Sequence, residues 1–206
     1  MKKRLAVVVS AFVLAQIAMP VNAGSVVVGA QPPGAQQSRD GSIALELGAG
    51  GLFSPDYRSL LEDVYPDYNL LLGGGWFQLS GGLRYRVNEQ LSISPKVDVM
   101  LNYVIADGGR EDESYLNYIL VPGVNARFSF DKAPSLYVGG ELTYNLPHTG
   151  SKYYELKSGG LGGGAFLGYV FQGDFFVELG YNYIPVEVGS EKKNLGGVLL
   201  RLGKAF

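Results

Sequence analysis

The chain has 206 residues, with 17 Lys or Arg against 19 Asp or Glu, one His and no Cys, for a formal net charge of −2. No cysteine means no disulfide, no thiolate metal site and no thiol nucleophile, and the near-balanced charge gives no basic footprint for a nucleic-acid partner. Thirty Gly, 14 Tyr and 10 Phe against three Met favour strands over helices.

The first element is a secretory signal peptide over residues 1–23. "MKKR" is its basic start, Leu5 to Ala18 its apolar core, and Val21 to Ala23 its small-residue cleavage site, with the cut after Ala23. That apolar run of 14 residues is shorter than the ~18–20 a spanning helix needs. Residues 24–41, rich in Pro, Gly and Gln, read as a flexible periplasmic leader without sustained periodicity.

From Ser42 to Phe206 the pattern predicts eight strands that alternate bulky apolar residues with small or polar ones. The bulky face carries Ile43, Leu45 and Leu47 in the first strand, Phe77, Leu79 and Leu83 in the second, and Val97, Val99 and Leu101 in the third. It continues with Leu116, Leu120 and Val124, then Leu136, Val138 and Leu142, then Leu167 and Tyr169, then Val177 and Leu179, and ends with Val198, Leu200 and Leu202. The opposite face carries every other charge of the strands: Glu46, Arg84, Arg86, Lys96, Asp98, Arg127, Glu141, Glu178 and Arg201. Three short connections, 88–90, 131–134 and 172–174, interleave with four long ones, 54–72, 106–114, 146–158 and 186–194. A soluble sandwich gives no reason for that alternation, whereas an eight-stranded up-and-down barrel in an outer membrane does.

The apolar face therefore meets lipid. It is almost free of charge; Lys204, close to the terminus, can snorkel to the interface. Aromatic residues gather at both strand ends: Tyr85, Phe128, Phe130, Phe171, Phe175 and Phe206 at the short-turn end, and Phe77, Tyr103, Tyr118, Tyr144, Tyr181 and Tyr183 at the other. The barrel must close, so the last strand pairs with the first. Pro95 and Pro122 cannot donate to a ladder and predict local bulges. Buried charges persist when paired, and Glu46, Arg84, Glu178 and Arg201 fall at similar heights on neighbouring strands. They predict an alternating ion-pair belt and a plugged lumen.

The architecture and the ending "LLRLGKAF" resemble the small outer-membrane β-barrel proteins of Gram-negative bacteria, the OmpA/OmpX type. The resemblance covers about residues 42–206. It implies that Phe206 is the terminal recognition signal for the barrel-assembly machinery, with Lys204 standing where an aromatic is frequent. No peptidoglycan-binding domain is expected after the barrel. The expected partners are outer-membrane lipid, lipopolysaccharide and that machinery, with the protein a monomer and no cofactor.

The long loops hold the acidic excess: the first two carry net −3 each, the third +1 and the fourth zero. "DGGREDE" (107–113) lacks the ligand spacing of a calcium loop. The expected function is non-enzymatic: a structural or surface-interaction role in adhesion or envelope integrity. The alternatives are a narrow porin-like solute channel and, less favoured, a lipid A-modifying enzyme built on His148, Ser151 and Glu155. Such a mechanism needs its base oriented by a third group, and these three sit in a loop. The glycine runs 71–74 and 159–164 lack the Lys-Ser/Thr of a phosphate loop and read as flexible junctions.

Overall fold

The computed structural model describes residues 42–66, 69–72, 75–107, 112–151, 154–157 and 159–206. The expected signal peptide (1–23) and leader (24–41) lie outside these residues, as does most of the "DGGREDE" loop. Eight long strands form the wall: β1 (Ile43–Phe53), β2 (Gly75–Arg86), β3 (Leu91–Asp107), β4 (Asp112–Phe130), β5 (Ala133–Tyr144), β6 (Leu161–Val170), β7 (Phe175–Tyr183) and β8 (Gly197–Ala205). Each pairs antiparallel with its sequence neighbour, and β8 pairs with β1 from Glu46↔Ala205 to Phe53↔Val198. The last residue joins that seam: Phe206 donates its N–H to the Leu45 carbonyl at 2.8 Å and accepts from the Leu45 N–H at 3.1 Å. The wall of eight long strands is therefore closed.

Register fixes its shape. A path across the ladders runs Ser42, Arg86, Ser92, Arg127, Gly139, Phe166, Gly180, Leu199 and back to β1 at Leu52, so one circuit advances 52 − 42 = 10 residues. For eight strands that offset tilts them by roughly 40° to the axis. Period-2 alternation then sorts the residues. The bulky set of every strand points out, with Ile43, Leu83, Leu142, Leu179, Tyr181 and Leu202 all more than half exposed or close to it. An apolar band of this extent on a closed barrel is a lipid-facing surface. At the short-turn end Lys204 points outward between two rings, its Nζ 4.8 Å from the Phe175 centroid and 5.0 Å from that of Phe206.

Two local expectations are corrected. No bulge occurs at either proline: the β3–β4 register runs unbroken through Pro95↔Val124 and Val97↔Pro122. The missing donors open gaps in the ladders instead. β2–β3 pairing lapses between Gly82↔Lys96 and Tyr85↔Ile93 with no register change. β4–β5 pairing stops at Gly123↔Thr143 and resumes in the same register at Leu120↔Leu146, within the short strand Leu146–His148. The register shift on β4 falls at Ser129/Phe130, beside a short turn. The second correction concerns the glycine run 159–164, whose Leu161–Gly164 portion is strand. A Cβ on Gly159 would lie 2.1 Å from the Asn145 carbonyl oxygen, and one on Gly162 would lie 2.5 Å from that of Tyr183. Close approach of neighbouring backbone, not looseness, requires glycine there. In the run 71–74, residues 73–74 lie outside the described residues.

The first long loop contains a helix, α1 (Pro55–Val64), which the strand pattern did not predict. Ser54 caps it by accepting from the Tyr57 N–H at 3.3 Å, Pro55 opens it, and Asp56 occupies the first turn. Tyr57, Leu60, Leu61 and Val64 recur at i, i+3, i+4 and i+7, one apolar face. That face packs on inward residues at the long-loop end of the barrel, among them Leu52, Trp76, Met100, Val104, Ile119 and Leu199. The fourth loop adds a hairpin, Pro185–Val188 with Glu191–Asn194, and Leu156–Lys157 pairs with its first strand.

Candidate functional site

The inner face has two tiers. Charged and amide side chains fill the lower one, towards the short turns, and the apolar cluster under α1 fills the upper one.

In the lower tier, Glu178 and Arg201 are direct register partners on β7 and β8. Arg201 Nε donates to Glu178 Oε2 at 2.5 Å. Arg84 on β2 lies 3.5 Å from Glu46 on β1. Among the described residues no ion pair joins Glu46 to Arg201, because the β1–β8 register sets Arg201 opposite Gly50. The connection comes from Arg127 on β4, which reaches across the lumen. Its Nη2 lies 2.9 Å from Glu178 Oε1, and its Nη1 donates to Glu46 Oε1. The chain of pairs therefore reads Arg84–Glu46–Arg127–Glu178–Arg201. All but Arg84, which is half-buried, are buried.

A second network lies beside it. Lys96 Nζ donates to Asp98 Oδ2 at 2.7 Å and to Glu141 Oε2. Gln78 donates to Asp98 at 2.7 Å and Asn182 to Glu141 at 2.9 Å. Arg86 stands apart near the short-turn end, half-buried and without an ion pair among the described residues.

Inward rings close the spaces between these charges. Tyr137 donates its hydroxyl to Glu178 Oε1 at 2.8 Å, and the Arg127 guanidinium lies 5.3 Å from the Tyr137 ring and 5.1 Å from that of Phe176. Arg201 lies 5.7 Å from the Phe166 ring. Each ring needs a neighbour without a side chain: a Cβ on Gly168 would lie 2.2 Å from Tyr137 Cζ, and one on Gly203 2.2 Å from Phe176 Cζ. Gly168→Ala is therefore expected to cost about 1–3 kcal/mol by overpacking, measured as the urea midpoint of the protein folded into lipid vesicles.

At the upper tier the helix is pinned by a knot of hydroxyls and amides. Tyr57 donates to Asn102 Oδ1 at 2.9 Å and sits 3.0 Å from the Tyr154 hydroxyl, while Asn117 Nδ2 donates to both tyrosines at 2.6 and 3.1 Å. Thr149 donates to Asn117 Oδ1 at 2.6 Å, which ties in the third loop. Burial, and then the adjoining Tyr154, holds the Tyr57 phenol far above its ordinary value of 10.0. A raised folded pKa contributes stability that is whole below the unfolded value and is lost as pH rises through the folded one. The cap is thus expected to stay closed to about pH 10 and to loosen above it. A tyrosinate absorbance titration checks this: exposed tyrosines ionise first, and Tyr57 ionises later, together with release of α1.

The loop trio is separated by its partners. His148 lies on the outer wall, its ring tilted by 30° against that of Tyr118 with centroids 4.8 Å apart. The Ser151 hydroxyl is 3.4 Å from that of Tyr65, and Glu155 is exposed, 3.9 Å from Lys157. Of the acidic loop charges, Asp56, Glu62 and Asp63 lie on exposed positions of α1, with Glu62 bonded to Arg58 at 2.9 Å.

No family model and no curated protein sequence matches the chain. Solved structures do. The crystal structure of the outer membrane protein OprG from Pseudomonas aeruginosa aligns with 81% of this chain and 96% of its own, at 12% identity and a TM-score of 0.50. The outer membrane protein Ail of Yersinia pestis, in a phospholipid nanodisc, aligns with 80% of this chain and 100% of its own at 17% identity and a TM-score of 0.46. At such identities the likeness, carried by the first of these, is one of fold.

Proposed function

With the fold of the eight-stranded outer-membrane barrels as premise, we propose that this chain is a sealed structural barrel of the outer membrane that presents its loops as an interaction surface. The observation that supports this best is Arg127, which crosses the lumen between Glu46 and Glu178 beneath the apolar packing of α1. A polar solute entering from the loop side meets that dry cluster, and one entering from the turn side meets paired charges and rings. Both obstacles are made of side chains that hold one another in place. In this reading residues 1–23 direct export and Phe206 serves assembly. The protein acts as a monomer without a cofactor. The exposed carboxylates of the first loop face the phosphates of lipopolysaccharide, where divalent cations can bridge the two. No reaction is assigned to His148, Ser151 or Glu155.

Liposome swelling tests the seal. Vesicles carrying the folded protein are expected to swell in small sugars and amino acids no faster than protein-free vesicles. Swelling that scales with protein content would replace the sealed barrel by a solute channel.

A further inference from the structure

The outward face of β1, β2 and β5–β8 carries a single charged side chain, Lys204 on β8. It stands level with its register partners, Phe175 on β7 and Leu47 on β1. The Phe175 carbonyl accepts from the Phe171 N–H at 2.7 Å, which sets Phe171 on the far side of Phe175. Phe206 follows Lys204 two residues later on the same face. Phe171, Phe175 and Phe206 are each more than half exposed and make an aromatic patch at the short-turn end of the wall. Lys204 Nζ sits inside that patch, 4.8 Å from the Phe175 centroid and 5.0 Å from that of Phe206. Among the described residues it makes no ion pair. Asp174 precedes Phe175 in the chain without reaching it, and the terminal Phe206 oxygen accepts from the Leu45 N–H at 3.1 Å instead. The ring faces attract the ammonium, but they bring no counter-charge to a cation at the edge of an apolar band.

We propose that Lys204 and its three phenylalanines form a binding site for an anionic glycerophospholipid of the turn-side leaflet. The ammonium takes the lipid phosphate, and the rings, with Leu47 and Leu202 beside them, receive the first part of an acyl chain. The choice of ligand follows from the two halves of the patch. A free phosphate would satisfy the charge and leave three exposed rings in water. A zwitterionic lipid brings its own cation to compete with Lys204 for the phosphate. An anionic lipid meets both halves, since its head carries net negative charge and its tail is apolar. Lipopolysaccharide phosphates belong to the loop side, at the other end of the strands, so they do not reach this patch. The site rests on the membrane orientation of the sealed barrel and names one lipid that its wall holds.

The test titrates delipidated protein in detergent with phosphatidylglycerol or phosphatidylcholine and follows the first bound lipid by native mass spectrometry. Phosphatidylglycerol is expected to bind the wild type more tightly. Lys204→Met is expected to weaken it by about fivefold, the effect of one cation at an anionic lipid surface, and to leave phosphatidylcholine unchanged. Lys204→Arg should keep the preference. Lys132→Met, which removes an exposed lysine from the short turn 131–134, should change nothing. Equal wild-type affinity for the two lipids overturns the proposal, and that comparison needs no variant to fold. Equal losses in Lys204→Met and Lys132→Met overturn it too, in favour of general surface charge. So does saturable binding of glycerol 3-phosphate alone, read by phosphorus NMR and lost in Lys204→Met, which would make this a site for phosphate without lipid. Liposome swelling reports on the seal separately, so a sealed barrel without the lipid site and a conducting barrel that has it are distinct outcomes.

Discussion

Glu178→Leu is expected to lower the unfolding free energy of the lipid-embedded barrel by roughly 3–5 kcal/mol, the cost of leaving a buried charge without its counter-ion. Glu178 is wholly buried and holds three groups: Arg201 on one oxygen, and Arg127 and the Tyr137 hydroxyl on the other. Without it, Arg201 keeps no ion-paired carboxylate among the described residues, where its other hydrogen bond is a long one to Ser80 at 3.5 Å. Arg127→Leu should cost less, although Arg127 makes as many ion pairs. Each carboxylate it leaves behind retains an arginine, Arg84 for Glu46 and Arg201 for Glu178. The ordering of the two variants therefore separates a charge-paired plug from a lumen that is merely hydrated, in which both losses would be small and similar. The double variant Glu178→Leu with Arg201→Leu should recover much of the loss, because the stranded charge goes with its partner. Urea titration in vesicles supplies all three numbers.

Leu61→Ala is expected to open the cap without unfolding the barrel. Leu61 is wholly buried in the cluster that joins α1 to the upper lumen. Truncating a buried leucine costs about 2–5 kcal/mol. Here that loss falls on a ten-residue helix with few other buried anchors. Local opening rather than global unfolding should report it. Amide exchange across residues 57–64 is expected to accelerate by about two orders of magnitude, which corresponds to the lower part of that range, while exchange in β7 and β8 stays as in the parent. Trp76, the single tryptophan, packs against Tyr57 at 5.1 Å and gives an independent fluorescence signal for the same event. Acceleration spread evenly over the strands would show that α1 is part of the barrel's global stability instead.

The wall was legible in the sequence because period-2 alternation carries both strand identity and face. Residues such as Leu83, Leu142 and Leu202 point outward, and Glu46, Arg127 and Glu178 point inward, from parity alone. Parity and height also bring Glu178 beside Arg201. They do not reveal which side chains reach across the lumen, so the bridging position of Arg127 was hidden: it depends on barrel radius and rotamer, not on spacing along a strand. The upper tier was missed for a different reason. Met100, Ile119 and Leu199 sit on the same face as the charges and look misplaced until α1 covers them. The signal for that helix was present in "SPDYRSLLEDV", with a Ser-Pro start and apolar residues at helical spacing, within a stretch read as an outer loop. The prolines misled because a lost donor can be absorbed by a gap in one ladder while the other keeps its register.

Single-channel recording is the sharpest probe of the proposed wall-to-wall seal. Purified protein folded into a planar lipid bilayer is expected to leave the current at the level of the bare membrane across the usual voltage range. Large, steady conductance steps whose number grows with added protein would overturn the sealed barrel, because no continuous water path can coexist with Arg127 bonded to both Glu46 and Glu178 beneath a closed α1.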